Sequence, residues 1–193
     1  MDFDGVQEIL VKRLRNELDP ECYYHNADHT LEVIRAARIL AGMEQCDRHT
    51  LQLIETAALF HDSGILFRYE GHEAESVMIA AEMLPDFGYE PEDIETVIRL
   101  IHSTHDSVIP STPEEKILCD ADLDALGRED FFVQSFRLKL EWEAKGIRRT
   151  GLREWFAFEA AFLEKHRYYT AAAEKLHGDQ KRKNLEAIRE LLA

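Results

Sequence analysis

The sequence predicts an all-α protein that folds as a single domain. Apolar residues recur at three- and four-residue spacing along nearly the whole chain, as in "VQEILVKRLRNEL" and "HTLEVIRAARILAGM". The alternating pattern of strands is missing from the sequence, as are long linkers, internal repeats and low-complexity segments. With 193 residues, of which 45% are hydrophobic and 32% charged, the chain is long enough for one domain with a sizeable core.

The apolar spacing predicts ten helices. They cover residues 5–18, 28–43, 48–62, 72–84, 91–104, 114–126, 129–145, 152–166, 168–177 and 179–192. Asp47, ahead of "RHTLQLIETAALF", and Pro91, in "YEPEDIETVI", are typical helix starts. Glycines are expected to end helices at Gly42, Gly64, Gly88, Gly127 and Gly146.

The charge balance restricts the partners of the protein. A formal net charge of −15 disfavours general nucleic-acid binding, because an acidic surface repels phosphate backbones. A small anionic substrate remains compatible with this charge, since a metal ion and a few arginines can dominate one pocket. No apolar stretch approaches the roughly 20 residues of a membrane span.

Cysteine usage and the start of the chain predict a cytoplasmic protein. Cys22, Cys46 and Cys119 are scattered and form no CxxC pair, which argues against a disulfide framework and against a cysteine-ligated zinc site. The start "MDFDGVQEIL" lacks the basic and apolar regions of a signal peptide, so we do not expect export.

Residues typical of metal sites occur at five places in this helical background. They are His25 and His29 in "YYHNADHTLEV", His61 and Asp62 in "AALFHDSGI", His72 in "GHEAES", His102 and His105 in "LIHSTHD", and Asp120, Asp122 and Asp124 in "CDADLDALG". A buried imidazole or carboxylate without partners costs several kcal/mol. His61 and Asp62 follow the apolar run "AALF". They therefore require partners from elsewhere in the chain, unless they lie at a helix end that faces water.

Each of these places also has an ordinary structural interpretation. Asp28 is a candidate N-cap for a helix that begins at His29, and His102 and His105 are acceptable residues at a helix C-terminus. Taken together, however, imidazole and carboxylate without thiolate favour manganese, iron, cobalt, magnesium or nickel, with zinc less distinctively indicated. A divalent ion of this kind lowers the pKa of bound water and neutralises phosphate oxygens.

These motifs, in this order, resemble the HD superfamily of metal-dependent phosphohydrolases over about residues 23–130. The resemblance implies a helical, phosphodiesterase-like bundle over residues 1–193, which residues 131–193 complete. It implies metal ligands at His29, His61, Asp62 and Asp122. Asp122 is preferred to Asp120 and Asp124 because the closing aspartate of the family usually stands in an Ala-Asp-x-Leu context.

Two further roles follow from the resemblance. "HNADH" is similar to the H-N-x-x-H motif of the cyclic nucleotide phosphodiesterase branch, which makes His25 a candidate general acid. Asp62 is a candidate to orient the attacking water as well as to bind the ion. His72 is a candidate extra ligand, and either His102 or His105 would be needed with it for a site with two metals.

The chain also departs from two branches of this superfamily. "HDSGILFRYEGHE" lacks the E-D dipeptide of the (p)ppGpp hydrolases, and the Gly-Tyr-Pro motif of the HD-GYP branch is missing. We therefore expect hydrolysis of a phosphomonoester or phosphodiester, of a nucleotide or of a small phosphorylated metabolite. The alternatives are a di-iron oxygenase on an HD-like scaffold and a nucleotide-binding regulatory module with little turnover.

The remaining candidates concern the substrate and the assembly. Arg68 and Arg128 are candidates to bind phosphate, against the alternative of ordinary surface arginines. The basic segment "KGIRRTGL" is either at the pocket mouth or a loop that balances nearby carboxylates. "EWFAFEAAFLEKHRYY" favours core packing or the interface of a homodimer, and only secondarily a platform for base stacking.

Overall fold

Nine α-helices and three 3₁₀ turns make up the regular structure of residues 1–105 and 107–193, the part of the chain that the computed structural model describes. The helices are α1 Phe3–Glu17, α2 Ala27–Met43, α3 Arg48–Phe60, α4 His72–Met83, α5 Pro91–Ser103, α6 Pro113–Asp122, α7 Phe131–Ala144, α8 Leu152–Lys165 and α9 Ala171–Leu192. The 3₁₀ turns are Ser63–Leu66, Leu84–Phe87 and Asp124–Gly127. These residues form no strand, so the all-α prediction is confirmed.

Several helix starts follow the local chemistry of the sequence. The Asp47 side chain accepts a hydrogen bond from the Thr50 N–H, and Pro91 is the first residue of α5, as predicted. At α2 the prediction was wrong. Asn26 is the N-cap, and its side chain accepts hydrogen bonds from the backbone N–H groups of Asp28 and His29. Asp28 is therefore an exposed residue of the first turn.

The predicted glycine stops are only partly correct. Gly88 and Gly146 adopt positive φ angles of 70° and 72° directly after the helical segments they end. Gly42 instead lies inside the last turn of α2, and Gln45, with φ 61°, takes the left-handed position after it.

Near the C-terminus, the two predicted helices 168–177 and 179–192 are one continuous helix, α9. Gly178, between them, is buried rather than a break. The 3₁₀ turn Asp124–Gly127 packs on α9 at this point, where a Cβ on Gly127 would lie 2.4 Å from the Cβ of His177. Close packing against α9 therefore explains why position 127 is a glycine. The predicted helix 114–126 ends at Asp122, just before the turn.

The hydrophobic core has two parts. The larger cluster is formed by α1 to α6 and includes Ala172 and Ala173 from the first turn of α9. The smaller cluster joins the turn Asp124–Gly127 to the C-terminal helices through Leu126, Phe131, Ala160, Leu163 and Ile188. None of the described helices is both long and apolar enough to cross a bilayer. The packing places the ends of α2, α3 and α6 together, and these ends carry the candidate site.

Candidate metal centre and active-site pocket

The histidine-aspartate pair lies where α3 changes into a 3₁₀ turn. The helix ends at Phe60, two residues before the predicted end, and His61 and Asp62 follow it. His61 Nδ1–H donates to the Ala58 carbonyl (2.8 Å), and the Ser63 hydroxyl donates to the Phe60 carbonyl (2.8 Å). The first bond occupies Nδ1 and leaves Nε2 of His61 available to bind a metal ion.

The start of α4 holds this turn in place. The Ser76 hydroxyl donates to the His61 carbonyl and accepts from the Gly64 N–H, each at 2.8 Å. A Cβ on Gly64 would lie 2.0 Å from the His72 carbonyl oxygen. Only glycine therefore allows α4 to approach the turn this closely.

Four of the predicted side chains converge from three helices. His29 comes from α2, Asp122 is the last residue of α6, and His61 and Asp62 follow α3. His61 Nε2 lies 3.4 Å from His29 Nε2 and 3.0 Å from Asp62 Oδ2. Asp122 Oδ1 is 3.3 Å from His29 Nε2 and 3.4 Å from His61 Nε2. His29 and Asp122, which are 93 positions apart in the sequence, thus lie next to each other in the fold.

The donor set fits a divalent cation. In the described part of the chain, ligand atoms of His29, His61 and Asp122 lie within 4.8 Å of one another, a possible His/His/Asp metal site. Asp62 Oδ2 is buried and accepts no hydrogen bond from any described group, although two imidazole nitrogens lie within 3.4 Å of it. A buried carboxylate oxygen is rarely left without a partner. Its position beside two imidazoles matches the ligand preference of first-row transition metals.

Electrostatics keep both carboxyl groups of this cluster ionised. Burial would raise the pKa of Asp62 and of Asp122, but the charge of His61 and the contacts with His29 hold both pKa values below the ordinary 3.8. For His29, burial lowers the pKa, but the close carboxylates of Asp122 and Asp62 outweigh it and raise the pKa to about 9. Two buried carboxylates thus face the same point. A divalent cation at this point would balance their charge and replace the imidazole protons.

His72 extends the cluster on one side. Its Nε2 lies 3.0 Å from Asp62 Oδ1, and its Nδ1–H donates to the Tyr69 carbonyl (2.8 Å). Burial lowers the pKa of His72, but the hydrogen bond with Asp62 outweighs it and raises the pKa to about 9. In this structure His72 contacts the carboxylate oxygen of Asp62 that points away from His29 and His61.

The other two candidate histidines lie elsewhere. His102, in the last turn of α5, is exposed, and so is His105. His105 Nδ1 accepts hydrogen bonds from the backbone and the hydroxyl of Ser107. The structure therefore does not bring either residue into the cluster, as a site with two metals would require.

His25 is held by a glutamate that sequence analysis missed. His25 Nδ1 forms a very short contact with Oε1 of Glu141, a fully buried residue of α7. The other oxygen of Glu141 accepts from the backbone N–H groups of Tyr24 (2.7 Å) and His25 (3.0 Å). Tyr69 donates its hydroxyl to Glu141 Oε1 at 2.5 Å. Because a carboxylate only accepts, His25 carries its proton on Nδ1 in this contact.

A pocket of about 550 Å³ lies over the cluster. Its polar wall contains His25, Asp62, Tyr69, His72 and Asp122. The rest of its wall is largely apolar and comes from the turn Asp124–Gly127, α7 and α8, with Leu126, Phe131, Leu138, Trp142, Phe158 and Phe162. This volume is within the range typical of small-ligand sites.

The predicted phosphate-binding arginines are outside this wall. Arg128 is bonded to Asp130, at 2.6 and 2.8 Å, and to Glu32 (2.8 Å), so carboxylates already balance its charge. Arg68 donates to the Gly71 carbonyl (2.9 Å), and its side chain is half exposed. Among the described lining residues there is no lysine or arginine.

The neighbouring aspartates have structural roles. Asp120 accepts hydrogen bonds from the backbone of Tyr169 and Thr170 and from the Thr170 hydroxyl, ahead of α9. Asp124 Oδ1 lies 3.5 Å from Arg128. Of the three alternating aspartates, only Asp122 contacts the histidines.

The aromatic segment lines the pocket and also contacts the basic segment. Phe158 and Phe162 from "EWFAFEAAFLEKHRYY" line it, whereas Trp155 is almost completely buried behind it. The Arg148 guanidinium, from the basic segment, lies 4.3 Å from the centre of the Phe158 ring. The aromatic segment therefore contributes to the pocket as well as to the core.

Comparison with known proteins assigns a family. The model of the HD domain matches residues 26–125, a little over half of the chain. No curated protein matches. Three solved structures resemble the chain over nearly its whole length.

One is a predicted HD superfamily hydrolase from an uncultured Thermotogales bacterium, with 22% identity, a TM-score of 0.67, and coverage of 98% of this chain and 90% of that one. The second is Bacillus subtilis YpgQ in complex with ADP, with 23% identity, a TM-score of 0.71, and coverage of 98% and 93%. The third is the Lin1889 protein from Listeria innocua, with 19% identity, a TM-score of 0.67, and coverage of 100% and 97%. At these identities the likeness shows a shared fold, and together with the matched domain it means that the chain belongs to the HD-domain family.

Proposed function

We propose that the protein is a metal-dependent phosphohydrolase that cleaves a phosphomonoester or phosphodiester of a nucleotide or small phosphorylated metabolite. The observation that carries the proposal is the convergence of His29, His61, Asp62 and Asp122, of which Asp62 and Asp122 line the pocket. Membership of the HD family supports a hydrolase. The relative crystallised with ADP supports a nucleotide ligand. We expect residues 1–193 to form one such domain in the cytoplasm, with Ala172 and Ala173 tying the last helix to the main core.

We assign the four converging side chains as ligands of one divalent ion, with His72 as a further donor. When bound, such an ion activates water as a nucleophile and stabilises charge on the phosphoryl oxygens. Asp62 is positioned to orient the attacking water, because it is the ligand whose second oxygen also contacts His72. The pocket wall offers no arginine or lysine among its described residues, so a substrate with one phosphoryl group fits better than a polyphosphate.

His25 is the proposed proton donor to the leaving oxygen. Glu141 holds Nδ1–H, so Nε2 is the nitrogen that is left to deliver a proton into the pocket. Tyr69 and the two backbone N–H groups fix Glu141 in turn. A histidine whose ring is fixed by a carboxylate is an effective acid in general acid catalysis.

The two alternatives have less support. A di-iron oxygenase needs six protein ligands, and the exposed positions of His102 and His105 leave His72 as the one additional histidine in contact with the cluster among the described residues. A regulatory module without turnover would not require the His25–Glu141 pair beside the cluster.

A phosphoester panel tests the proposed function. Purified protein with added manganese should release phosphate or nitrophenol from at least one monoester or diester. Asp62→Asn and Asp122→Asn should each lower this rate at least a hundredfold, because a lost ligand weakens the bound ion. The control is Asp28→Asn, an exposed carboxylate beside His29, which should retain the wild-type rate. Equal rates in the wild type and both ligand variants would refute the proposal.

A further inference from the structure

The α7–α8 wall of the pocket contains a carboxyl group that the proposed chemistry does not use. Glu159, on α8, is 5% exposed and lines the pocket beside Ser135 of α7. The Ser135 hydroxyl donates to Glu159 Oε1 (3.0 Å) and itself accepts from the Trp155 indole N–H (2.8 Å). These two hydrogen bonds fix Glu159 in one position, and the first one uses the only proton of the Ser135 hydroxyl.

The other oxygen of Glu159 has no partner within the described protein. None of the described cations lies within 4.0 Å of this carboxyl group, and no described hydrogen bond involves Oε2. Burial raises the pKa of Glu159 to about 7, with the Ser135 hydrogen bond acting in the opposite direction. A buried carboxyl group with so few partners lowers the free energy of unfolding, whereas a leucine at the same position would not. Above this pKa the ionised group keeps an acceptor oxygen available in the wall, at a cost to stability.

The neighbouring side chains form an aromatic, apolar surface. Trp142, Phe158 and Phe162 line the same wall. The rings of Trp142 and Phe158 are 5.6 Å apart between centroids, and Trp155 supports Phe158 from behind at 5.5 Å. Aromatic side chains bind planar rings by stacking, which selects for shape but not for ring substituents.

We propose that Glu159 determines the specificity of the pocket for a substrate whose body is an uncharged planar nitrogen heterocycle. Glu159 Oε2 accepts a hydrogen bond from an N–H of that ring, while Trp142, Phe158 and Phe162 contact its faces and edges. This inference rests on the proposed function, since the same substrate places its phosphoryl group at the His29–Asp122 cluster. The lack of cations among the described lining residues fits a neutral ring.

Binding of unphosphorylated nucleosides tests the proposal without any turnover. Adenosine, guanosine, cytidine and uridine are titrated into the wild-type protein by calorimetry, together with a phenyl riboside whose ring has no N–H. At least one nucleoside with a base N–H should bind. Glu159→Leu should weaken its binding about tenfold, because a site built to accept a hydrogen bond then has no acceptor. Binding of the phenyl riboside should be unchanged or tighter.

The control variant is Glu164→Gln, one and a half turns further along α8 and paired with Arg189 at the surface. It should bind every nucleoside as the wild type does. If none of the four nucleosides binds, or if Glu159→Leu binds them as tightly as the wild type, the inference is wrong. Glu159→Gln, which keeps the shape of the side chain, separates loss of the acceptor from loss of packing.

Kinetics distinguish this inference from the proposed function. With a nucleoside monophosphate as substrate, Glu159→Leu should raise KM about tenfold and change kcat little, whereas KM for nitrophenyl phosphate should not change. If Glu159→Leu hydrolyses the nucleoside monophosphate with an unchanged KM, the role of Glu159 is wrong and the proposed function stands. Nucleoside binding that depends on Glu159, without hydrolysis of any phosphoester, would overturn the proposed function and leave the ring site in place.

Discussion

Glu141 shows how a single residue far along the chain can complete a motif. It is 116 positions from His25, yet its carboxylate receives the imidazole, a tyrosine hydroxyl and two backbone N–H groups. Burial would raise the pKa of Glu141, but the contact with His25 outweighs it and lowers the pKa below the ordinary 4.5. It is therefore ionised at neutral pH and can hold the His25 ring in one orientation.

Substitution of Glu141 tests this positioning role. Glu141→Gln and the milder Tyr69→Phe should lower kcat, the first about tenfold to a hundredfold, because a misplaced general acid loses part of its effect. KM and metal content should remain close to those of the wild type. Glu143→Gln on the same helix, which changes a pair with Lys139 away from the pocket lining, is the matched control.

A double variant makes the test specific. If Glu141 acts through His25, then Glu141→Gln should have little further effect on kcat in a His25→Asn background. Fully additive losses, or a pH–rate profile that Glu141→Gln leaves unchanged, would contradict the positioning role.

Glu159 also makes stability depend on pH. Its pKa is raised by burial to about 7 in the folded protein, from an ordinary 4.5. The stability it contributes is complete below pH 4.5 and is lost as the pH rises through 7, because the folded state then has to ionise a buried carboxyl. Relative to Glu159→Gln, the wild type should lose on the order of 3 kcal/mol between about pH 5 and 8. Denaturant unfolding of both proteins at several pH values measures this difference, and parallel curves would contradict it.

At the scale of the elements, the junction of α3 and α4 is the critical piece of structure. Ser76 bridges the His61 carbonyl and the Gly64 N–H, and so ties the start of α4 to the turn that carries the ligands. A change in this packing should affect the metal site as well as stability.

Gly64→Ala tests this coupling. The new Cβ would meet the His72 carbonyl oxygen at 2.0 Å and the Ser76 nitrogen at 2.7 Å, so the backbone of α4 has to shift. Overpacking of this kind costs roughly 1–3 kcal/mol. We expect a lower Tm and at least tenfold weaker metal binding, measured by thermal unfolding and calorimetry.

Gly42→Ala is the control for this change. Gly42 lies inside α2, and its Cβ would meet nothing within 4 Å. Alanine there should leave metal binding unchanged and stabilise the helix by roughly 0.5–1 kcal/mol. The coupling between α4 and the metal site would be disproved if both variants bound metal like the wild type.

At the scale of the whole molecule, the six N-terminal helices build the His29–Asp122 cluster and the C-terminal helices build the rest of the pocket. The larger core brings together the ends of α2, α3 and α6, which carry the ligands. The turn Asp124–Gly127, α7 and α8 then supply the apolar wall, the carboxylate of Glu141 and the acceptor of Glu159. We therefore expect the ligands of the proposed ion and the groups that select the substrate to come from different parts of the chain.

The sequence predicted the His29–Asp122 cluster better than the α7–α8 wall of the pocket, for a physical reason. His29, His61, Asp62 and Asp122 lie in short HD-type motifs, so their convergence could be predicted without coordinates, whereas their role as metal ligands stays a prediction. Glu141 and Glu159 have no local signal of this kind, since glutamates on amphipathic helices usually face water. Their burial depends on how α7 and α8 pack, which residue spacing does not determine.

The same distinction applies to the helix ends. Asp47 and Pro91 act on the backbone a few positions away, so the starts of α3 and α5 were predicted correctly. Gly178 is a buried residue inside the continuous helix α9, so the break predicted there was wrong. Arg68 and Arg128 were named for their charge, but their partners in the fold are outside the pocket.

The central claim is that His29, His61, Asp62 and Asp122 hold one divalent ion on which phosphoester hydrolysis depends. Its most direct test is a titration of manganese into metal-free protein, with bound metal and the rate of hydrolysis measured on the same samples. We predict that the rate rises in proportion to bound ion and levels off at one ion per chain, and that His61→Asn, which keeps a polar side chain at this position, abolishes both. Full hydrolytic activity in the metal-free protein, or stoichiometric binding that survives His61→Asn, would contradict the claim.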